Sequence, residues 1–222
     1  MKTFNHVKIP ELNFDLESET TETGRVYKTP TGKLYPSITT VLSSYNKKAL
    51  FEWRARVGEE EANRIARKAS GRGTRLHNAV EKYLLNEFSD MKMNSMMPDA
   101  KELFVQLRPL LNEHVGDIYG IEQPLYSDKL QLAGRCDCIA EWDGELSIVD
   151  WKTASRTKSK DGIKNYFMQA TAYAVMYEER TGKSINQIVV AIAVENESPQ
   201  IFVEQKDKYL FPLMEYNERF PR

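Results

Sequence analysis

The chain has 222 residues, 41% of them hydrophobic and 28% charged, with a formal net charge of -1. That composition suits one domain with a sizeable core, or a domain carrying a subdomain. A net charge near zero gives no bulk attraction to nucleic acid, so a protein that coats DNA non-specifically is disfavoured and any DNA site must be a local groove.

Cys136 and Cys138 stand two apart in one apolar run. Their spacing suits no disulfide, and without a second pair they complete neither a zinc site nor an iron–sulfur cluster. Both read as small core residues in a reducing compartment. The start of the chain has neither the apolar core of a secretory signal nor the pattern of a transit peptide. No apolar run approaches the ~18 residues of a membrane span. The expectation is a cytoplasmic protein with no membrane contact.

Residues 1–24 are polar and acidic, with a low-complexity patch at Glu17–Thr23, and are expected to form a loose arm. Arg25–Tyr35 places β-formers on either side of Thr31-Gly32 and reads as a short hairpin. Ser37 is a natural N-cap for a helix bearing Ile38, Val41 and Leu42. Phe51–Lys68 predicts a charged helix whose sparse apolar stripe includes Trp53, Val57 and Ile65. Gly71–Leu85 predicts a second, glycine-opened helix with Leu76, Val80, Tyr83 and Leu84 inward. Met91–Met97 is expected to be a flexible connection. Ala100–Val115 is a further amphipathic helix and ends an N-terminal region, 25–115, of hairpin and helices.

From 116 to 222 the pattern changes. Ile118–Tyr126 predicts a strand, followed by a hairpin at Leu132–Ser155. Ile163–Arg180 predicts a helix closed by Thr181-Gly182. Ile185–Val194 and Gln200–Val203 predict two more strands, and 206–219 a final helix. This order predicts an α/β (α+β) fold, a central mixed β-sheet flanked by helices, forming one compact domain with 25–115.

The hairpin carries the chemistry. Asp143-Gly144 is a strong signal for a tight two-residue turn. Counting outward from Trp142 and Glu145, Ile139 faces Ile148, Asp137 faces Asp150, and Arg135 faces Lys152. Facing residues share one side of the sheet, with Cβ atoms roughly 4.5–5.5 Å apart. The two cysteines then fall on the opposite side. Two carboxylates so close repel each other, and a divalent cation between them turns the repulsion into a binding site. Mg²⁺ or Mn²⁺ suits oxygen ligands of this kind. The neighbouring Lys152 can orient a water and offset charge at phosphorus, which is the equipment of phosphodiester hydrolysis. A surface salt bridge from Lys152 to one acid is the plainer reading.

At these residues the chain resembles the PD-(D/E)XK nuclease superfamily, in particular its RecB-like exonuclease branch. The resemblance rests on Gly134-Arg-Cys-Asp137, Ile148-Val-Asp150-Trp-Lys152-Thr153, Gln169-Ala-Thr-Ala-Tyr173, and the glycine-rich segment leading to His77. It implies a restriction-endonuclease-like core, Asp137 and Asp150 as metal ligands, and Lys152 as the catalytic lysine. It further implies that His77 and the Trp151 backbone carbonyl join the metal. Without it, an inward His77 reads as a hydrogen-bonded core residue. Gln169 and Tyr173 lie four apart on one helical face. Either they pack as a polar pair or, as the resemblance implies, they flank the active site.

Further residues are candidates for support. Arg72 and Arg75 stand at the expected helix start, where backbone N–H groups attract phosphate. Ser37 and Thr39 suit phosphate contact or a simple N-cap, and Glu122 suits a second metal or ordinary packing. Within the branch, YPSITTVL and GRGTRLHNAVE resemble the mitochondrial-type and phage-type enzymes. That likeness implies hydrolysis from free ends of single-stranded DNA in replication, recombination or repair, in a bacterial or phage-infected cytoplasm, with replication or recombination proteins as further partners. A flap or branch endonuclease and a non-catalytic DNA-binding recombination accessory protein are the alternatives.

Overall fold

The first three strands form an antiparallel sheet of order β1 (Glu17–Thr21), β2 (Gly24–Lys28) and β3 (Leu34–Pro36) in a computed structural model that describes residues 2–221, the side chains of residues 90 and 92 apart. β2 and β3 are the expected hairpin, with Tyr27 opposite Tyr35. β1 is an addition. Its residues are all exposed, so its sequence carries no apolar alternation to betray a strand.

The loose arm expected over 1–24 is instead packed, residue 1 lying outside the described residues. Phe4, Leu12 and Leu16 are buried. Val7 N–H donates to the Ile118 carbonyl at 2.8 Å, and Ile118 N–H donates back to Asn5 at 2.9 Å. The Asn86 side chain bonds both backbone groups of Phe4. These few apolar residues are separated by polar ones, which is why a polar composition masked them.

Helix α1 (Ile38–Ser44) is capped by Ser37, whose Oγ accepts the Thr40 N–H at 3.0 Å. α2 (Lys47–Val57) and α3 (Glu59–Leu84) follow, and their boundary corrects the expectation. The break falls at Gly58, which has φ 88°, and not near Gly71. Glu59, Glu60 and Glu61 fill the first turn of α3, where the helix dipole favours acids. Gly71 and Gly73 are therefore interior to a 26-residue helix. α4 (Asp90–Ser95) occupies most of the expected connection, and α5 (Pro98–His114) begins on Pro98 at its first position.

The central sheet has the order β4 (Val115–Ser127), β5 (Leu132–Trp142), β6 (Glu145–Ala154), β7 (Gln187–Val194) and β8 (Gln200–Gln205). Only β6 and β7 are parallel, so the sheet is mixed. Parallel neighbours need a crossover, which α6 (Lys164–Thr181) supplies before Gly182 ends it at φ 70°. α7 (Asp207–Glu218) closes the chain, residue 222 of the expected core segment lying outside the described residues. β7 is buried along its whole length, as a strand covered on both faces must be. One face packs Ile139, Ile148, Ile188 and Val190 against Phe167 and Tyr177 of α6. The other packs Trp142, Val149, Trp151 and Val189 against Leu76 and Val80 of α3 and Leu103 and Leu107 of α5. No helix among the described residues is long and apolar enough to cross a membrane.

Two irregularities in this sheet position the site. Asp143 and Gly144 form the expected turn with φ 54° and 80°, and the β5–β6 register runs as counted from Trp142–Glu145 to Cys138–Val149. It ends there. Asp137–Asp150 and Arg135–Lys152, expected as facing pairs, lie beyond the ladder, and Asp137 Oδ2 accepts the Trp151 N–H at 3.0 Å. On the other side, β4 and β5 pair Ile121 with Cys138 and Gln123 with Cys136, omitting Glu122 and Asp137. Glu122 has a left-handed φ of 47°. The side-chain alternation inverts at this point. Cys138 joins the cluster against α3 and α5 while Cys136 joins the one against α6, so the cysteines do not share the face expected of them.

Candidate active site

Where β5 leaves β6, the sheet opens a gap between α3 and α6, and the chemically capable side chains meet there. Asp137, Lys152, His77 and Glu122 line one cavity of about 660 Å³, together with Gln169 and Tyr173. His77 comes from α3, one residue after the buried Leu76, and its Nδ1 lies 3.6 Å from Asp137 Oδ2. Single ligand atoms of His77, Glu122 and Asp137 lie within 4.8 Å of one another. Asp150 sits deeper, at 1% exposure.

The electrostatics follow from burial. Desolvation pushes the Asp150 carboxyl up to about 6, against the pull of the Lys152 ammonium and with the help of the Asp137 charge. Burial alone would lower Lys152, but Asp150 and Asp137 outweigh it and hold the ammonium above its ordinary value. Lys152 is therefore a cation at neutral pH, paired with Asp150 Oδ2. Its Nζ also lies 5.2 Å from the ring centroid of Tyr166. Burial, then the Asp137 charge, raises Glu122 to about 7.

These residues fit a divalent cation. Both oxygens of Asp150 are buried without a well-formed hydrogen bond among the described residues, Lys152 being the one close polar contact. A carboxylate in that state is costly unless another positive charge accompanies it. The remaining donors are two carboxylates and an imidazole, hard or borderline ligands suited to such an ion. The Trp151 backbone directly follows Asp150 and gives its N–H to Asp137.

Gln169 and Tyr173 present one face of α6 to the cavity, as their spacing predicted. Burial drives the Tyr173 phenol well above its usual pKa, with the neighbouring Gln169 side chain opposing it. Gly134 explains how β5 accepts the ring. A Cβ there would come within 2.9 Å of Tyr173 Cε1 and Oη. Ser37 and Thr39 also line the cavity, their hydroxyls 2.9 Å apart, although Ser37 Oγ is committed to its cap.

Arg72 and Arg75 do not enter the site. Arg72 is buried against Glu195, and Arg75 pairs with Asp99. The expected phosphate site at a helix start is absent because Gly71–Arg75 is the middle of α3, where the backbone N–H groups are used within the helix. Tyr166 is a site residue that the sequence did not suggest. It stands three residues before Gln169, and that helical spacing was the available signal.

A comparison with known families decides the kinship. Residues 40–211 match the family described as the PD-(D/E)XK nuclease superfamily. The chain belongs to the PD-(D/E)XK nuclease superfamily. The match spans the hairpin acids, Lys152, His77 and the Gln169–Tyr173 pair. Among curated proteins, human mitochondrial genome maintenance exonuclease 1 is 24% identical over 205 residues, covering 83% of this chain and 58% of that protein. Its mouse counterpart is 27% identical over 118 residues, 47% of this chain and 34% of that protein. The Xenopus tropicalis counterpart is 28% identical over 119 residues, 46% of this chain and 34% of that protein. This superfamily member spans under two thirds of the length of these curated relatives.

Proposed function

We propose that the chain is a metal-dependent DNA exonuclease of the PD-(D/E)XK type. It hydrolyses phosphodiester bonds from free ends of single-stranded DNA, in replication, recombination or repair. The observation that carries this reading is the meeting of Asp137, Asp150 and Lys152 at the gap between β5 and β6, beside His77 and Glu122. The exonuclease names of the human, mouse and Xenopus relatives support the choice of activity.

Asp137, Asp150 and His77 would hold Mg²⁺ or Mn²⁺, with the Trp151 carbonyl joining them and Glu122 serving a second ion or steadying the first. Such an ion, when bound, polarises a phosphoryl oxygen and makes a bound water more acidic. The protein's own groups do the rest. Lys152, kept protonated by the two acids, donates hydrogen bonds toward the attacking water and the oxygens that gain negative charge at phosphorus. Asp150 and the Tyr166 ring hold the ammonium in place. Gln169 and Tyr173 form the opposing wall and fix where the strand can lie.

The test is digestion of end-labelled linear and circular DNA, single- and double-stranded, in Mg²⁺ and in Mn²⁺. Linear single strands should shorten from their ends while circular ones stay intact. Cutting of circles would mean an endonuclease, and binding without cleavage in either metal would leave only an accessory role.

A further inference from the structure

The cavity over the acids is walled on one side by the N-terminal sheet, through Ser18, Arg25 and Tyr27. Strand β2 is a partition. Arg25 and Tyr27 face the acid cavity, while Gly24 and Val26 face a separate one of about 520 Å³. The Arg25 backbone is held on both sides. Its N–H donates to Thr40 Oγ1 at 3.0 Å, and its carbonyl accepts the Ser37 N–H at 2.8 Å.

The cations lining this cavity are not equivalent. Arg135 is engaged by Asp15 at 3.0 Å and by the Glu122 carbonyl at 2.8 Å. Lys152 is engaged by Asp150. Arg25 is exposed and makes no ion pair or side-chain hydrogen bond among the described residues. Glu81, Glu122 and Asp137 make the remaining lining acidic, so a polyanion entering here needs a positive group that is still uncommitted. A guanidinium offers two parallel N–H donors that match a phosphate, and it never loses its charge.

We infer that Arg25 is a phosphate clamp, gripping a backbone phosphate of the DNA strand beside the scissile one and so fixing its path across the acids. This rests on the nuclease reading above. It gives the N-terminal sheet a part in substrate binding, with Arg25 acting on strand position and not on the reacting atoms. The clamp meets every nucleotide alike, because phosphate contacts carry no base information.

The experiment pairs binding with turnover. A fluorescent single-stranded oligonucleotide is titrated with wild type, Arg25→Ala and Arg25→Lys in EDTA over a range of salt, and cleavage is followed separately in Mn²⁺. Arg25→Ala should bind about tenfold more weakly, since one charge-assisted phosphate contact is lost. Its slope of log affinity against log salt should be smaller by about 0.7, the contribution of one phosphate contact on a single strand. KM should rise while kcat stays within about twofold. Arg25→Lys should recover the salt slope and part of the affinity. Wild-type affinity, salt slope and KM in Arg25→Ala would overturn the clamp, and so would a fall in kcat with KM unchanged. Failure of wild type to cleave in any metal would instead overturn the nuclease reading, and the binding arm would still report on Arg25.

Discussion

Asp150 and Glu122 tie the site to the stability of the fold. Burial raises both carboxyls, to about 6 and about 7, above their ordinary values of roughly 4. The native state therefore binds more protons than the unfolded chain between those limits. Stability of the metal-free protein should fall as pH rises through that window, the opposite of the usual carboxylate behaviour. Melting in EDTA should show a lower Tm at pH 8 than at pH 5.5, and Glu122→Gln should reduce the difference. Added Mn²⁺ should raise Tm more at pH 8, where both acids are ionised. A flat or rising profile in EDTA would mean that neither acid is held as described. His77→Ala should raise the Mn²⁺ concentration for half-maximal cleavage by about tenfold or more, since loss of one ligand or its support typically costs that much metal affinity. Its thermal melt without metal should change little, because the ring is partly exposed.

At the scale of elements, the hairpin and the helix beside it depend on one close approach. Gly134→Ala would push a Cβ into the Tyr173 ring, which is buried and cannot swing aside. Overpacking of this kind costs about 1–3 kcal/mol. It should show as a lower urea midpoint, together with reduced kcat as the Gln169–Tyr173 wall shifts. The turn itself was legible because Asp143-Gly144 supplies both positive φ values locally. The end of the ladder was not legible, because it depends on the left-handed Glu122 in a neighbouring strand and on the Asp137 bond to Trp151. The start of α3 was misread for a related reason. Gly71 and Gly73 resemble a helix opening, whereas Gly58 followed by three acids is where the dipole and the backbone agree. His77 was legible as an inward residue by helical spacing, but its approach to Asp137 needed the third dimension.

Taken as a whole molecule, the N-terminal segment is part of the fold. Phe4 stacks edge-on against Tyr83 at 5.5 Å and is hydrogen-bonded through its backbone to Asn86. Phe4→Ala should cost about 3–5 kcal/mol in urea unfolding, the range for a large buried aromatic, while leaving KM for single strands near wild type. Such a cost was hidden in the sequence because single apolar residues spread through a polar stretch form no continuous apolar run. The N-terminal sheet lies over the acid cavity through Ser18, Arg25 and Tyr27. The most direct test of the catalytic assignment compares wild type with Lys152→Ala for cleavage of a linear single strand in Mn²⁺, with binding measured in EDTA. The account predicts that the variant loses cleavage by at least about 10²-fold, the scale of removing one transition-state donor, while its affinity for DNA stays within severalfold. Cleavage near the wild-type rate would contradict it.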